Sequence, residues 1–225
     1  MADPRPQRGI DRRRMLGLAL GAGFAPALAS GPAQATGHAQ ATGPAQAAPG
    51  PAPATTRGPA PDAADGPAAR GAEAVRVAAA QLGVPYAWGG GDRLGPGLGF
   101  CDEENGYLDG GCLGESTVGF DCSGLTLYCW YLASGGAVEL AHYTVAQFNR
   151  SAPVDRADLL PGDLLFFSRP DAPLHHVGIH VGGGAMIHAE HTGTLVARLP
   201  GVFEHPRWAP EFAGARRPVP LGTRA

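Results

Sequence analysis

Leu174-His175-His176-Val177-Gly178-Ile179-His180-Val181-Gly182-Gly183-Gly184-Ala185-Met186-Ile187-His188-Ala189 is the stretch whose pattern decides the fold. Val177, Ile179 and Val181 alternate with His176, Gly178 and His180, the period of two that a β-strand imposes. Gly182 to Gly184 supplies a turn, and Ala185 to Ala189 reads as the returning strand. A three-residue turn pairs Val181 with Ala185, sets Gly178 opposite His188, and leaves His176 one diagonal step from His188 on the same face. A turn one residue different would break this arrangement. Gly178, between the histidines, is expected to leave room for a substrate.

Outward from the hairpin, Asp163 to Phe167 is a buried strand candidate and Leu195 to Leu199 a further strand. Upstream the period is helical. Ala74, Val75, Val77, Ala78 and Leu82 mark a helix over Ala72 to Leu82, which Gly83 ends. Cys122 to Ala133 reads as a second helix with Leu125, Cys129 and Leu132 in one stripe, stopped at Gly135-Gly136. Tyr143 to Phe148 is a short third. Helices first and an antiparallel sheet after give an α+β layout.

The chain has 225 residues and a net charge of −3. It contains no lysine, and its arginines are scattered, which excludes an obvious nucleic-acid face. Arg12-Arg13-Arg14, the apolar run Met15 to Ala29 and the small residues Ala27-Leu28-Ala29 have the form of a secretory signal, too short for a membrane span. The paired arginines resemble a twin-arginine signal, with Asp11 in place of the usual Ser or Thr. Residues 1–29 are thus expected to be the signal, 30–70 an extended Pro/Ala-rich linker, and 71–225 the folded domain. The mature protein is expected outside the cytosol, secreted or at the cell wall, with no integral membrane span.

Export bears on the four cysteines. Cys101 and Cys112, in the Gly-rich acidic loop from Gly99 to Gly114, read as a loop-closing disulfide. A zinc site from this pair and a histidine lacks the tight paired spacing of such sites.

Asp121 is a good N-cap, which makes Cys122 the first helical residue. A thiol there faces free backbone N–H groups and the positive end of the helix dipole, both of which favour the nucleophilic thiolate. The same N–H groups can hold an oxyanion. The plain alternative is a small buried cysteine that packs, for which Cys129 is the better candidate. A thiolate nucleophile needs a base, and His176 with His188 beside it offers one already oriented by a third polar group. His176 and His180 lie about 13 Å apart along a strand, too far to share one ion. No metal and no cofactor are expected. His175 and His180 read as strand residues; His142 and His191 remain spare candidates.

These motifs together resemble the NlpC/P60 peptidases. Gly83 to Gly90, Phe120 to Leu125, Leu160 to Phe167, His176 to Gly182 and Met186 to Ala189 match in order, over about residues 72 to 200. The resemblance implies a compact papain-like fold, with N-terminal helices packed on an antiparallel sheet. It implies Cys122 as nucleophile, His176 as base and His188 as the residue orienting it, with Tyr86, Asp121 and Ser123 lining the substrate site. It also implies a cysteine peptidase acting on peptidoglycan stem peptides, commonly at the γ-D-glutamyl–diaminopimelate bond. An N-acetylmuramoyl-L-alanine amidase, an acyltransferase and a non-catalytic wall-binding protein are the other classes the fold admits. Gly89, Gly90, Gly124 and Gly178 are expected to leave the site open to an extended substrate. Two features depart from the family pattern. The stretch between Gly90 and Asp121 is long, and Leu140-Ala141-His142-Tyr143 stands where relatives often have Leu-Pro-Arg-Thr.

Overall fold

The computed structural model describes residues 66–222. The expected signal and nearly all of the expected linker lie outside them. Among the described residues no helix is long and apolar enough to cross a membrane.

Helix α1, Pro67–Ala79, begins with proline in its first turn, where the missing N–H costs nothing. It starts ahead of the expected Ala72, so residues 67–70, counted with the linker for their Pro/Ala content, are helical. Helix α2, Cys122–Ala133, has the expected bounds. Its apolar stripe differs. Cys122 to Leu127, Cys129 and Trp130 are buried on every side, whereas Leu132 is 45% exposed. A central helix needs no polar face until it emerges from the domain. Helix α3 is Thr144–Arg150, with Tyr143 at its N-cap.

Six antiparallel strands follow: β5 (Ala152–Val154), β6 (Leu164–Ser168), β7 (Leu174–Gly182), β8 (Ala185–His188), β9 (Ala197–Leu199) and β10 (Phe212–Arg217), with the four-residue helix α4 (Trp208–Glu211) before the last. Their order in the sheet is β5-β10-β6-β7-β8-β9. Strand β10 was not legible as a strand, because only Ala215 of its residues is buried and its pairing comes from distant β5 and β6. Leu195 and Val196, expected at the start of β9, instead run beside Val84 to Tyr86, where Val196 N–H donates to Val84 O at 2.7 Å and Tyr86 N–H to Thr194 O at 2.9 Å.

Both faces of the sheet are covered. Leu164, Phe166, Val177, Ile179 and Ile187 pack with α1 and α2, while Leu165, Phe167 and Met186 pack with Trp208 and Ala215. This accounts for the unbroken apolar run Leu164 to Phe167.

The β7–β8 hairpin has the expected register, with Ile179 opposite Ile187 and His180 opposite Met186. Its turn is shorter than expected. Gly182 pairs with Ala185 around Gly183 and Gly184, whose φ values of +59° and +69° suit the two central positions of a primed turn. A bulge between His180 and Gly182 absorbs the extra residue, so the histidines keep their places.

The long stretch before α2 holds two small hairpins. β1 (Gly97–Leu98) pairs with β4 (Val118–Gly119), and β2 (Tyr107–Leu108) pairs with β3 (Gly111–Cys112). The Cys101–Cys112 disulfide is present, and Asp102, next to it, accepts a hydrogen bond from Trp88 Nε1 at 2.9 Å.

Helix α1 meets the sheet through two glycines. A Cβ on Gly71 would lie 2.2 Å from Pro161 O, and Gly162 sits at φ +97° with its own Cβ position 2.3 Å from Gly71 Cα. Gly71→Ala should therefore destabilise the domain. The helix-propensity gain is about 0.5–1 kcal/mol, against roughly 1–3 kcal/mol for forcing a methyl against fixed backbone. Thermal unfolding followed by circular dichroism checks this; an unchanged or raised Tm would contradict the close packing.

Candidate active site

Cys122 stands at the N-terminus of α2 because Asp121 caps it. Asp121 Oδ1 accepts from Gly124 N–H at 2.6 Å and from Ser123 Oγ at 3.0 Å. Its Oδ2 accepts from Gly89 N–H at 3.1 Å and hydrogen-bonds His142 Nε2 at 2.9 Å. Four protein groups thus saturate a carboxylate expected from the resemblance to bind substrate, and Ser123 spends its proton on the same group. The Cys122 Sγ lies 3.8 Å from Thr144 Oγ1, and the backbone N–H groups of Val177 and Ser123 are directed at it.

Strand alternation puts Val177 on the helix side of β7 and His176 on the other, where its ring lies 4.7 Å from that of Trp208 and 5.9 Å from that of Phe167. His176 Nε2 and His188 Nδ1 are 2.9 Å apart, the convergence read from the hairpin. His188 Nε2 lies 4.0 Å from Glu190 Oε2, and Glu190 is held in turn by Arg207. The 2.9 Å contact takes one proton between two neutral rings, and the catalytically useful arrangement has it on His176 Nε2, donated to His188 Nδ1. The lone pair of His176 Nδ1 is then free. Cys122 and His176 border one cavity. Among the described residues no hydrogen bond yet joins them.

Burial pushes the Cys122 thiol up to about 12, with the Asp121 charge adding to it and the Val177 N–H, Thr144 and Ser123 N–H contacts opposing. Burial, and then neighbouring His188, holds His176 well below its ordinary value. Burial likewise brings His188 down to about 4, Glu190 opposing. Burial and the adjacent Asp121 carboxylate thus favour the neutral thiol, against the helix N-terminus, which favours the thiolate. Desolvation and an adjacent carboxylate outweigh the helix end here.

Two cavities flank Cys122 and share Trp88, Leu174 and His175 as walls. One, about 390 Å³, has Phe100, Tyr143, His142, Asp121 and Ser123 on it. The other, about 400 Å³, has Tyr86, Glu104, Asn105, His176, Arg207 and Trp208. A still larger cavity of about 540 Å³, beside Glu139 to Ala141 and Val219 to Gly222, touches neither Cys122 nor the paired histidines. The Cys101–Cys112 loop thus builds part of both walls through Phe100, Glu104 and Asn105. The four glycines expected to leave the site open do not do so. A Cβ on Gly89 would meet Phe100 at 2.2 Å, on Gly90 Ala87 at 2.7 Å, on Gly124 Gly90 O at 2.3 Å, and on Gly178 Met186 Sδ at 2.7 Å. Protein atoms already occupy that space. Thr144, Glu190, Arg207 and Trp208 were not anticipated, since each reaches the site only through tertiary folding. Among the described residues no group of three or more His, Cys, Asp or Glu is placed to hold a metal ion.

The depressed histidines carry an acid-lability prediction. The unfolded chain binds more protons than the folded one between the ordinary histidine value of 6.5 and about 4 for His188. Stability is complete above pH 6.5 and should fall as pH drops through that window, by up to about 3 kcal/mol from His188 alone. His142, whose value is raised chiefly by its hydrogen bond to Asp121, works in the opposite sense. Denaturant unfolding at several pH values checks this: the His188→Gln protein should show a flatter acid limb than wild type, and equal limbs would refute it.

Comparison with known proteins places the chain. The model of the NlpC/P60 family matches residues 83–217. The peptidoglycan endopeptidase RipA of Mycolicibacterium smegmatis is 38% identical over 126 residues, 56% of this chain and 22% of that protein. The gamma-D-glutamyl-L-lysine dipeptidyl-peptidase of Bacillus subtilis is 32% identical over 129 residues, 56% of this chain and 34% of that protein. The chain therefore spans only about a fifth to a third of the length of these two relatives. A solved structure of a hypothetical invasion protein of Mycobacterium tuberculosis aligns with TM-score 0.50 and 29% identity, covering 76% of this chain and 69% of the other. With more than half of its length matched by the family model, and the cysteine helix and histidine hairpin both inside the match, this chain belongs to the NlpC/P60 family.

Proposed function

We propose that the chain is a cysteine peptidase that hydrolyses peptidoglycan stem peptides between D-glutamate and the following diamino acid, outside the cytosol. The observation that carries this reading is that His176, which lines the cavity that also holds Cys122, is paired through Nε2 with His188 Nδ1 at 2.9 Å. The relatives named for peptidoglycan and for a γ-D-glutamyl bond support the substrate class. The disulfide supports an oxidising compartment.

Cys122 is the nucleophile and His176 its base. As Sγ attacks the scissile carbonyl, its proton passes to His176 Nδ1 and a carbon–sulfur bond forms. Backbone N–H groups at the start of α2 are the donors nearest the developing oxyanion. The carbon–nitrogen bond then breaks, and the His176 imidazolium gives its proton to the leaving amine. Water, deprotonated by the same nitrogen, cleaves the thioester and restores the thiol. His188 keeps the Nε2 proton of His176 in place throughout, so that Nδ1 stays free. Because thiol and imidazole both rest neutral, proton transfer accompanies attack and does not precede it.

Cys122→Ala should lower turnover by more than about 10⁴-fold, and His176→Ala nearly as much, since base and nucleophile act as a unit. His188→Ala should cost less, on the order of 10²-fold. The assay is digestion of purified muropeptides, with products sequenced by tandem mass spectrometry. Wild-type turnover in the Cys122→Ala protein would remove the nucleophile assignment. Cleavage only at the muramyl–L-alanine bond would favour the amidase reading, and binding without turnover the wall-binding one.

A further inference from the structure

The direction of proton transfer distinguishes the two cavities beside Cys122. His176 gives its proton to the leaving amine, so the residue on the amine side of the bond lies against His176. His176 lines one of the two cavities and not the other. The cavity with His176 therefore takes the leaving residue, and the other takes the acyl side. On the leaving side the arginines and one of the two carboxylates are already matched. Arg207 is paired with Glu190 and lies over the Trp208 ring at 4.4 Å. Arg169 and His175 share Glu211, at 3.7 Å and 3.1 Å. Glu104 is the exception on this wall. Among the described residues its carboxylate has no ion pair and no hydrogen bond.

The loop that carries Glu104 is anchored to the cavity wall. Asp102 Oδ1 accepts from the N–H groups of Glu104 at 2.9 Å and Asn105 at 2.7 Å, while its Oδ2 accepts from Trp88 Nε1 at 2.9 Å. Cys101, next in the chain, is closed by the disulfide to Cys112. The backbone of Glu104 is thus referred to Trp88, itself a wall of the cavity. Beyond Glu104 a cavity of about 200 Å³ continues towards Tyr107 and Thr192, with room for the far end of a long side chain. An unmatched carboxylate here suits an ammonium, which offers three N–H donors and a full charge.

Resting on the peptidase reading above, we infer that Glu104 is a specificity-determining residue: it binds the side-chain ammonium of the diamino acid that follows the scissile bond. Stems in which that amine is free are then preferred over stems in which it is acylated, as it is when joined to a neighbouring stem. Glu104 sits in the long stretch between Gly90 and Asp121 that sets this chain apart from the family pattern.

The test compares L-alanyl-γ-D-glutamyl-diaminopimelate with its side-chain amine free and with that amine acetylated. Wild-type kcat/KM should favour the free amine by about fivefold, the size of a partly exposed ion pair. Raising the salt from about 0.05 M to about 0.5 M should shrink this ratio, since such a pair is screened. Glu104→Gln should bring the two rates within about twofold of each other. Glu104→Lys should make the acetylated peptide the better substrate. Glu104 is exposed, so neither substitution disturbs the packing. Equal wild-type rates, or a ratio unchanged in the Glu104→Gln and Glu104→Lys proteins, would overturn the inference. Calorimetric binding of both peptides to the Cys122→Ala protein, with and without Glu104→Gln, reads the preference without turnover. If wild type cleaves neither peptide, a free-amine preference in binding that Glu104→Gln abolishes overturns the peptidase reading and upholds the ammonium site. Equal binding of the two peptides overturns the inference.

Discussion

Asp163 is 1% exposed, and its carboxylate accepts two hydrogen bonds from Arg217, both at 2.8 Å, and one from Leu160 N–H at 2.8 Å. One buried charge thus joins the start of β6 to the end of β10 and fixes the turn through Pro161 and Gly162. The same turn reaches further. Gly162 O accepts from Trp130 Nε1 at 3.0 Å, its Cα sits against Gly71, and His180 N–H donates to Asp163 O at 2.7 Å. Both long helices and strand β7 are therefore referred to a single point. The relative placement of Cys122 on α2 and His176 on β7 follows from it. Removing one member of such a pair typically costs about 3–5 kcal/mol, because the other is left buried and alone.

The electrostatics of the site follow from how much of it is dry. Cys122, His176 and His188 are all nearly inaccessible, and burial disfavours charge on each. A neutral resting pair is protected from oxidation better than a thiolate would be. Trp208 packs on the His176 imidazole from one side. Trp208 and Arg207 are neighbours in sequence. One packs on His176 and the other restrains Glu190 behind His188, so a short segment before β10 supports both histidines.

The hairpin could be read from sequence because its signal is local. Alternation fixed which histidines share a face, and a turn of either observed or expected length would serve so long as a bulge took up the difference. The cap at Asp121 was legible for the same reason. What was missed depends on partners distant in the chain. Strand β10 has too little apolar pattern to announce itself, and Trp208 and Glu190 acquire meaning only beside His176 and His188. Asp121 shows the other kind of difference: its residue type was right for a ligand contact, but sequence could not reveal that Gly89 and His142 would exhaust it. The glycines misled similarly, since a missing side chain looks the same whether ligand or protein fills the gap.

Those glycines limit how this groove can be altered. At Gly89, Gly90, Gly124 and Gly178 the space beside the backbone is taken by Phe100, Ala87, Gly90 O and Met186. At Gly90 and Gly124 an added carbon strikes Ala87 or a backbone carbonyl oxygen before it reaches the cavity. The walls that remain adjustable are side chains with exposed surface, Phe100 at 50% and Tyr143 at 60%. Phe100 adjoins the covalently closed loop, and Tyr143 caps a short helix. Variation in substrate choice, natural or engineered, is thus channelled into two places that can change shape without disturbing the packing that holds Cys122 and His176 in place.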